Sequence, residues 1–249
     1  MKTIEYGNEN PEVVVLLHGV GLSWWNYRDE ADFLKANYHV VLPVLDGHAD
    51  SDTPFTTIEN NAREIINYID ENFNGTVLAI GGLSLGGQIL VEMLSQRSNI
   101  CSCAVIESTL VVPMPLTAAL IAPTFGISYG LIKNEWFSKM QFESLKIQPK
   151  LFDDYYRDTC KISKQDMIRF LKSNSSYAVK SNLGDTTASV TILVGGKEQN
   201  RMLRSAEILH TAIPDSKMQI LPQYHHGELS LNRPGEYVGF LIRSISALR

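Results

Sequence analysis

Long hydrophobic runs are missing from this chain of 249 residues. The run VVVLL at 13–17 is far too short to cross a bilayer. The opening MKTIEYGNENPE carries one lysine and no apolar core behind it, so neither a secretory leader nor a membrane anchor is expected, and the sequence reads as cytoplasmic. Cysteine is scarce as well. Cys101, Cys103 and Cys160 make a poor disulfide framework, which fits a reducing compartment, and the CSCAVIES segment reads as strand packing. No cysteine–histidine spacing points to zinc, and no metal or organic cofactor is expected. Blocks of one charge are also absent. With a net charge of −5 and no basic stripe, nothing is present to neutralise a phosphate backbone, so nucleic acid is not an expected partner. No repeat or low-complexity tract appears, and no pattern specifies an oligomer.

What is present is an alternation. Short apolar segments at 13–19, 39–45, 76–82, 103–108, 190–196 and 217–223 are continuously hydrophobic, as strands buried on both faces of a parallel sheet should be. Between them YRDEADFLKANY, IENNAREIINYIDENF, QILVEMLSQR and RSAEILHTAI space their apolar residues at three and four, and RPGEYVGFLIRSISAL reads as a last helix opened by Pro234. This predicts an α/β fold: a mostly parallel central sheet flanked by helices. One interval breaks the rhythm. Residues 111–188 contain no good parallel strand but many aromatics, and a structureless loop of that length is improbable in a compact domain. They are expected to form a helical cap insertion, with prolines 113, 115, 123 and 149 punctuating its helices. The remaining core would be 1–110 and 189–249.

Four glycines and one serine meet at 81–87, GGLSLGG, after the strand TVLAI and before the helix QILVEMLSQR. Within it lies G-x-S-x-G, Gly82 to Gly86. At a strand-to-helix turn such a serine takes strained backbone angles, while the glycines let strand and helix approach without Cβ clashes. The hydroxyl of Ser84 would then face the first N–H groups of the helix, among them that of Leu85, which suit a developing oxyanion. The glycine-containing loop His18-Gly19-Val20-Gly21 after the first long strand can supply a second donor, the N–H of Val20; His18 itself is expected to brace that loop. A serine hydroxyl needs a base and an acid to orient it. Two adjacent histidines, His225 and His226, follow the last strand, and His226 is the expected base. Three acids compete: Glu198 after the strand VTILVGG, Glu107 at the end of CAVIE, and Asp185 before VTILV. Glu198, just after the strand that ends near Gly195, is preferred, and the resulting chain order is Ser84, Glu198, His226.

On these residues the chain resembles the α/β-hydrolase family over nearly its whole length. The resemblance is carried by HGVG at 18–21, DGHADSD at 46–52, GLSLGG at 82–87, GGKE at 195–198 and HHGELSLNRP at 225–234. Two positions depart from the family pattern: Ala49 stands where relatives commonly carry a second glycine, and the acid position, usually aspartate, is Glu198. The extra N-terminal strands of relatives are reduced to MKTIEY. The resemblance implies Ser84 as nucleophile, His226 as general base, Glu198 as orienting acid, and Val20 and Leu85 as backbone donors to the oxyanion. The leading expectation is hydrolysis of a small or medium hydrophobic carboxylic ester: the cap aromatics, with Trp24 and Trp25, imply an apolar pocket, while most of these aromatics are expected to be core packing under the cap. The same apparatus serves thioester, amide, lactone and carbon–carbon bond hydrolysis, and silent ligand-binding homologues exist on the fold.

Overall fold

A computed structural model describes residues 1–248. Seven strands form one sheet: β1 (Thr3–Tyr6), β2 (Val13–Leu17), β3 (His39–Pro43), β4 (Val77–Leu83), β5 (Cys101–Glu107), β6 (Ser189–Gly195) and β7 (Lys217–Leu221). Their order across the sheet is β1-β3-β2-β4-β5-β6-β7. All neighbours are parallel except β1 and β3. MKTIEY thus supplies the single antiparallel edge. The helices are α1 (Arg28–Leu34), α2 (Ile58–Phe73) and α3 (Leu85–Gln96), then α4 (Pro115–Ser128), α5 (Glu135–Ser144), α6 (Phe152–Lys161) and α7 (Lys164–Ser176) between β5 and β6. The chain ends with α8 (Asn200–Ala212), α9 (Glu228–Asn232) and α10 (Pro234–Ser246).

The sheet is covered on both faces. Ile58, Ile65 and Ile69 of α2 and Ile89 and Leu90 of α3 pack on one side, while Leu34 of α1 and Tyr237 and Leu241 of α10 pack on the other. Local chemistry sets the ends of these helices. The Thr57 hydroxyl accepts the Asn60 N–H at 3.1 Å to open α2, and Asn74, at φ 54°, closes it in the left-handed region. No helix among the described residues is long and apolar enough to cross a membrane.

Two details differ from the sequence reading. Residues 217–223 were expected to be buried on both faces, but β7 is an edge strand with Lys217, Gln219 and Ile220 exposed, because no strand pairs with its outer side. Pro123 does not end a helix. It lies inside α4, whose packing along α7 carries the helix through the missing N–H.

The chain turns back at β2: β3 lies on one side of it and β4 on the other. Ligands of open α/β sheets bind outside the carboxyl ends of strands at such a reversal. The loop after β2 and the turn after β4 meet there because backbone touches backbone. A Cβ on Gly86 would drive into the carbonyls of Leu17 and His18, and one on Gly82 would strike the Gly86 carbonyl. Backbone cannot yield as a flexible side chain does. Gly86→Ala is therefore expected to destabilise the fold by more than the ~1–3 kcal/mol usual for overpacking, read from the urea midpoint, or to leave the protein insoluble.

Candidate active site

Ser84 is the one residue between β4 and α3. Its backbone sits at φ 53°, ψ −108°, a conformation that a residue with a Cβ rarely adopts. Two hydrogen bonds hold it there: its N–H donates to the Glu107 carbonyl at 2.9 Å, and its own carbonyl accepts the Gln88 N–H at 2.9 Å. The hydroxyl faces His226, whose Nε2 lies 3.2 Å from Oγ. Nδ1 of the same ring lies 2.7 Å from Glu198 Oε2. Since Glu198 is held ionised, Nδ1 carries the proton donated to it, which leaves Nε2 free to accept from Ser84.

Glu198 follows β6, and its carboxylate is fully enclosed although His226 is half exposed. Oε1 accepts the Gly195 N–H at 2.7 Å and the Ser108 hydroxyl at 2.7 Å. Burial alone would raise the pKa of this carboxyl. The hydrogen bond and charge of His226, with the Gly195 and Ser108 donors, outweigh burial and hold it below the usual carboxylate range. Ser108 is the residue the sequence reading missed. It sits at φ 49° just past β5, and its oxygen also accepts the Gly227 N–H at 3.2 Å, tying the acid loop to the base loop. A serine directly after a strand end was the only signal for it.

The loop after β2 brings Val20 beside Ser84, and Leu85 opens α3, where a first-turn N–H has no intrahelical acceptor. Two buried histidines shape that loop. His18 Nε2 accepts the Leu45 N–H at 3.2 Å and its Nδ1 donates to the Gly19 carbonyl at 2.9 Å. His48, from DGHADSD, accepts the Gly21 N–H at 3.1 Å and donates to the Asp46 carbonyl at 3.0 Å. Burial pulls His18 well below the ordinary imidazole range and His48 to about 4, so both rings stay neutral. Because His48 occupies the N–H of Gly21, the donor of that loop that remains for a ligand is Val20.

The rival residues lie elsewhere. His225 lines a groove with Lys197 and Met202, and its N–H donates to Glu228 at 2.9 Å. Asp185 sits in a turn before β6, at the opposite end of the strands from Ser84. Glu107 is buried behind the site and accepts the Ser230 N–H through Oε1 at 3.2 Å, without bonding His226. Its Oε2, both oxygens of Glu30 and the hydroxyls of Tyr27, Tyr237 and Ser230 have no hydrogen-bond partner. Burial pushes Glu107 up to about 7 against the help of Ser230, and pushes Glu30 well above the carboxylate range.

A small cavity of about 80 Å³ opens at Ser84 between Val20, Leu22 and Leu231. A second, of about 150 Å³, shares Val20 and Leu145 with it and runs between helices α4 to α7, past Phe125, Tyr155 and Phe170. The two tryptophans do not line it, and Trp25 follows the core-packing reading of the aromatics. Trp25 is buried in the core, donating to Asp158 at 2.9 Å, and Trp24 stacks under the Arg28 guanidinium. Their position before α1 puts them beneath α6 rather than in the cavity.

A serine on a strained strand-to-helix turn of a mostly parallel sheet, hydrogen-bonded to a histidine and through it to a glutamate after later strands, has the arrangement found on α/β-hydrolase folds. The sequence matches the alpha/beta hydrolase family over residues 14–240, and the chain belongs to that family. No curated protein matches it in sequence. Among solved structures, an esterase from Exiguobacterium antarcticum overlays with a TM-score of 0.81 at 19% identity, covering 98% of this chain and 94% of its own. An enol-lactonase from Burkholderia xenovorans gives 0.81 at 14%, covering 98% and 96%. A thermophilic esterase from Thermogutta terrifontis gives 0.77 at 16%, covering 98% and 93%. These likenesses are likenesses of fold.

The raised pKa of Glu107 sets a pH signature. The native state holds this proton up to about pH 7, whereas an unfolded chain releases it near 4.5, the ordinary value for a glutamate. The stabilisation is therefore complete below about 4.5 and is lost as pH rises through about 7, a change on the order of 3 kcal/mol. Glu107→Gln, which mimics the protonated form, is expected to match wild type near pH 4.5 and to melt above it at pH 8, as measured by thermal denaturation across that range.

Proposed function

We propose that the protein is a serine hydrolase that cleaves a small or medium hydrophobic carboxylic ester through an acyl-serine intermediate. The observation that carries this reading is the continuous chain Glu198–His226–Ser84, with links of 2.7 and 3.2 Å, ending on a serine held in left-handed geometry. The partner is then a small molecule, and residues 111–188 act as a cap over the core of 1–110 and 189–249.

In the first half-reaction Ser84 Oγ attacks the ester carbonyl while His226 Nε2 takes the hydroxyl proton. Glu198 keeps the imidazole in the required tautomer and stabilises the imidazolium that forms. The N–H groups of Val20 and Leu85 receive the negative charge that develops on the carbonyl oxygen; a single such donor contributes roughly 3 kcal/mol to the transition state. The tetrahedral species collapses by breaking the bond to the alcohol oxygen, which leaves with the proton from His226. Water then attacks the acyl-serine, giving a proton to His226, and the acid departs as Ser84 is restored. The groove beside His226, bordered by Lys146, Lys197 and Met202, suits the departing alcohol, since that is the group His226 must protonate.

Labelling with a fluorophosphonate probe and hydrolysis of p-nitrophenyl esters test the reading. Ser84→Ala is expected to lose both while keeping the wild-type melting temperature. Glu198→Gln should cost roughly four orders of magnitude in kcat, by analogy with loss of a triad carboxylate, and far more than Glu107→Gln. His226→Ala should be inactive and His225→Ala largely active. A folded wild type that resists the probe would instead indicate a ligand-binding protein without turnover, and equal losses at Glu198 and Glu107 would overturn the assignment of the acid.

A further inference from the structure

Leu145 stands where three spaces meet. It lines the small pocket at Ser84, the inner cavity between α4 and α7, and the outer groove beside His226. Its backbone is firmly held. The Leu145 N–H donates to the Gln141 and Phe142 carbonyls at 3.2 and 3.1 Å, which closes α5. Just beyond, Asn232 of α9 grips the turn twice: Nδ2 donates to the Lys146 carbonyl at 2.6 Å, and Oδ1 accepts the Gln148 N–H at 2.8 Å. The residue is nevertheless 44% exposed, so its side chain can change rotamer above a fixed Cα. The pocket and the inner cavity share two lining residues, Leu145 and Val20. Apart from Ser84 and His226, the pocket is lined by aliphatic residues and glycine. The inner cavity is walled by Phe125, Ile132, Met167 and Leu171, while the Thr159 hydroxyl, in contact with that of Tyr155, and the Gln141 carbonyl oxygen are enclosed away from it.

We infer that the favoured substrate is an ester of an unbranched acyl group of about eight to ten carbons, whose far end lies in the inner cavity, and that Leu145 is the partition the chain passes to reach it. The inference rests on the serine hydrolase reading and adds the length and shape of the acyl half. Volume gives the length. An apolar cavity of about 150 Å³ encloses a benzene ring, so spaces of about 80 and 150 Å³ hold roughly three and six carbon atoms. The join gives the shape. A group that fills both spaces must be narrow where it passes between Val20 and Leu145, and a polymethylene chain meets that condition where a branch or ring does not. The outer groove is the poorer place for methylenes, because Lys146, Lys197 and Gln199 border it and the apolar surface buried there is smaller.

The test measures kcat/KM for p-nitrophenyl butyrate, hexanoate, octanoate, decanoate and dodecanoate, each below its micellar concentration, on wild type, Leu145→Trp and Met167→Trp. Wild type should gain roughly a hundredfold from butyrate to octanoate, because four more methylenes leave water, and should gain nothing from decanoate to dodecanoate. Leu145→Trp fills the join and Met167→Trp fills the inner cavity. Each should cut the octanoate-to-butyrate ratio by about tenfold or more, and reading a ratio cancels any loss of folded protein. Position 145 is half exposed and accepts the larger ring, so the test stands even where the buried Met167→Trp fails to fold. A rate that falls with every added carbon overturns the inference, as does one still climbing at dodecanoate or a ratio that Leu145→Trp leaves unchanged. So does a 3-phenylpropanoate ester cleaved faster than the octanoate, which would assign the inner cavity to a ring. In each of these cases fluorophosphonate labelling at Ser84 leaves the hydrolase reading standing. Absence of the label and of all hydrolysis defeats both.

Discussion

The close approach of three backbones at the carboxyl end of β4 is the constraint on which the rest of the molecule depends. Gly82 meets the Gly86 carbonyl, and Gly86 meets the carbonyls of Leu17 and His18, so strand, helix and the neighbouring strand are in contact without side chains between them. Ser84 can hold φ 53° only because this packing leaves it no alternative. Strain of that kind costs about 1–3 kcal/mol and persists where its surroundings over-determine it. Here they do: β4 is paired on both sides, and every residue of α3 from Leu85 to Ser95 is buried. The same contact draws the Val20 loop to the start of α3, so one packing decision places both the hydroxyl and the donors around it.

Electrostatics then sorts two carboxyl groups that lie near each other. Glu198 receives the Gly195 N–H, the Ser108 hydroxyl and the His226 ring, and remains ionised. Glu107 receives the Ser230 N–H and is otherwise enclosed with Glu30 and two tyrosines, so it titrates near 7. Proximity contributes, since the charge of Glu198 adds to the rise at Glu107. The number of donors separates them. A carboxylate with three donors can steady an imidazolium, whereas one with a single donor favours its neutral form. Ser108 couples the arrangement by bonding Glu198 and Gly227 with one hydroxyl, which makes the separation of acid and base loops a property of the end of β5.

Most of the strands and helices were legible because their patterns are purely local. VVVLL, TVLAI and CAVIE are short, β-branched and continuous, and the period in IENNAREIINYIDENF is unmistakably helical; each element lies within a few residues of its expected position. Ser84, Glu198 and His226 were legible because G-x-S-x-G and the ends of two later strands are positions, not contacts, and the structure brings these three together. What stayed hidden depends on through-space partners. Ser108 is an unremarked serine until the Glu198 side chain is seen over it. His48 entered the sequence analysis only within DGHADSD, and its hold on Gly21 across 27 positions of sequence has no local signature. Trp24 and Trp25 were ambiguous for the same reason: aromatic residues near a glycine loop look like pocket walls until the Asp158 carboxylate and the Arg28 guanidinium claim them. The edge position of β7 is a matter of strand order, which composition does not encode.

The contacts between the helices of 111–188 and the rest of the chain also have a consequence for selectivity. Asp158 of α6 is fully buried and takes the Trp25 N–H and the Arg157 guanidinium, and Asp154 pairs with Arg28 at 2.8 Å. Asp166 at the start of α7 accepts the Phe55 N–H at 2.9 Å, and Gln148 bonds the Leu231 carbonyl at 2.8 Å. These ties come from the segments after β2, β3 and β7, so they surround the inner cavity. A buried carboxylate with charged and neutral donors resists opening far more than an exposed ion pair, whose contribution is about 0–1 kcal/mol. The walls around Thr159 are thus fixed by the same loops that carry Val20 and His226, while the groove beyond His226 stays open. Under the proposed mechanism the group left on Ser84 is judged by a rigid cavity and the departing group by an open one, so discrimination falls mainly on the acid half of the ester.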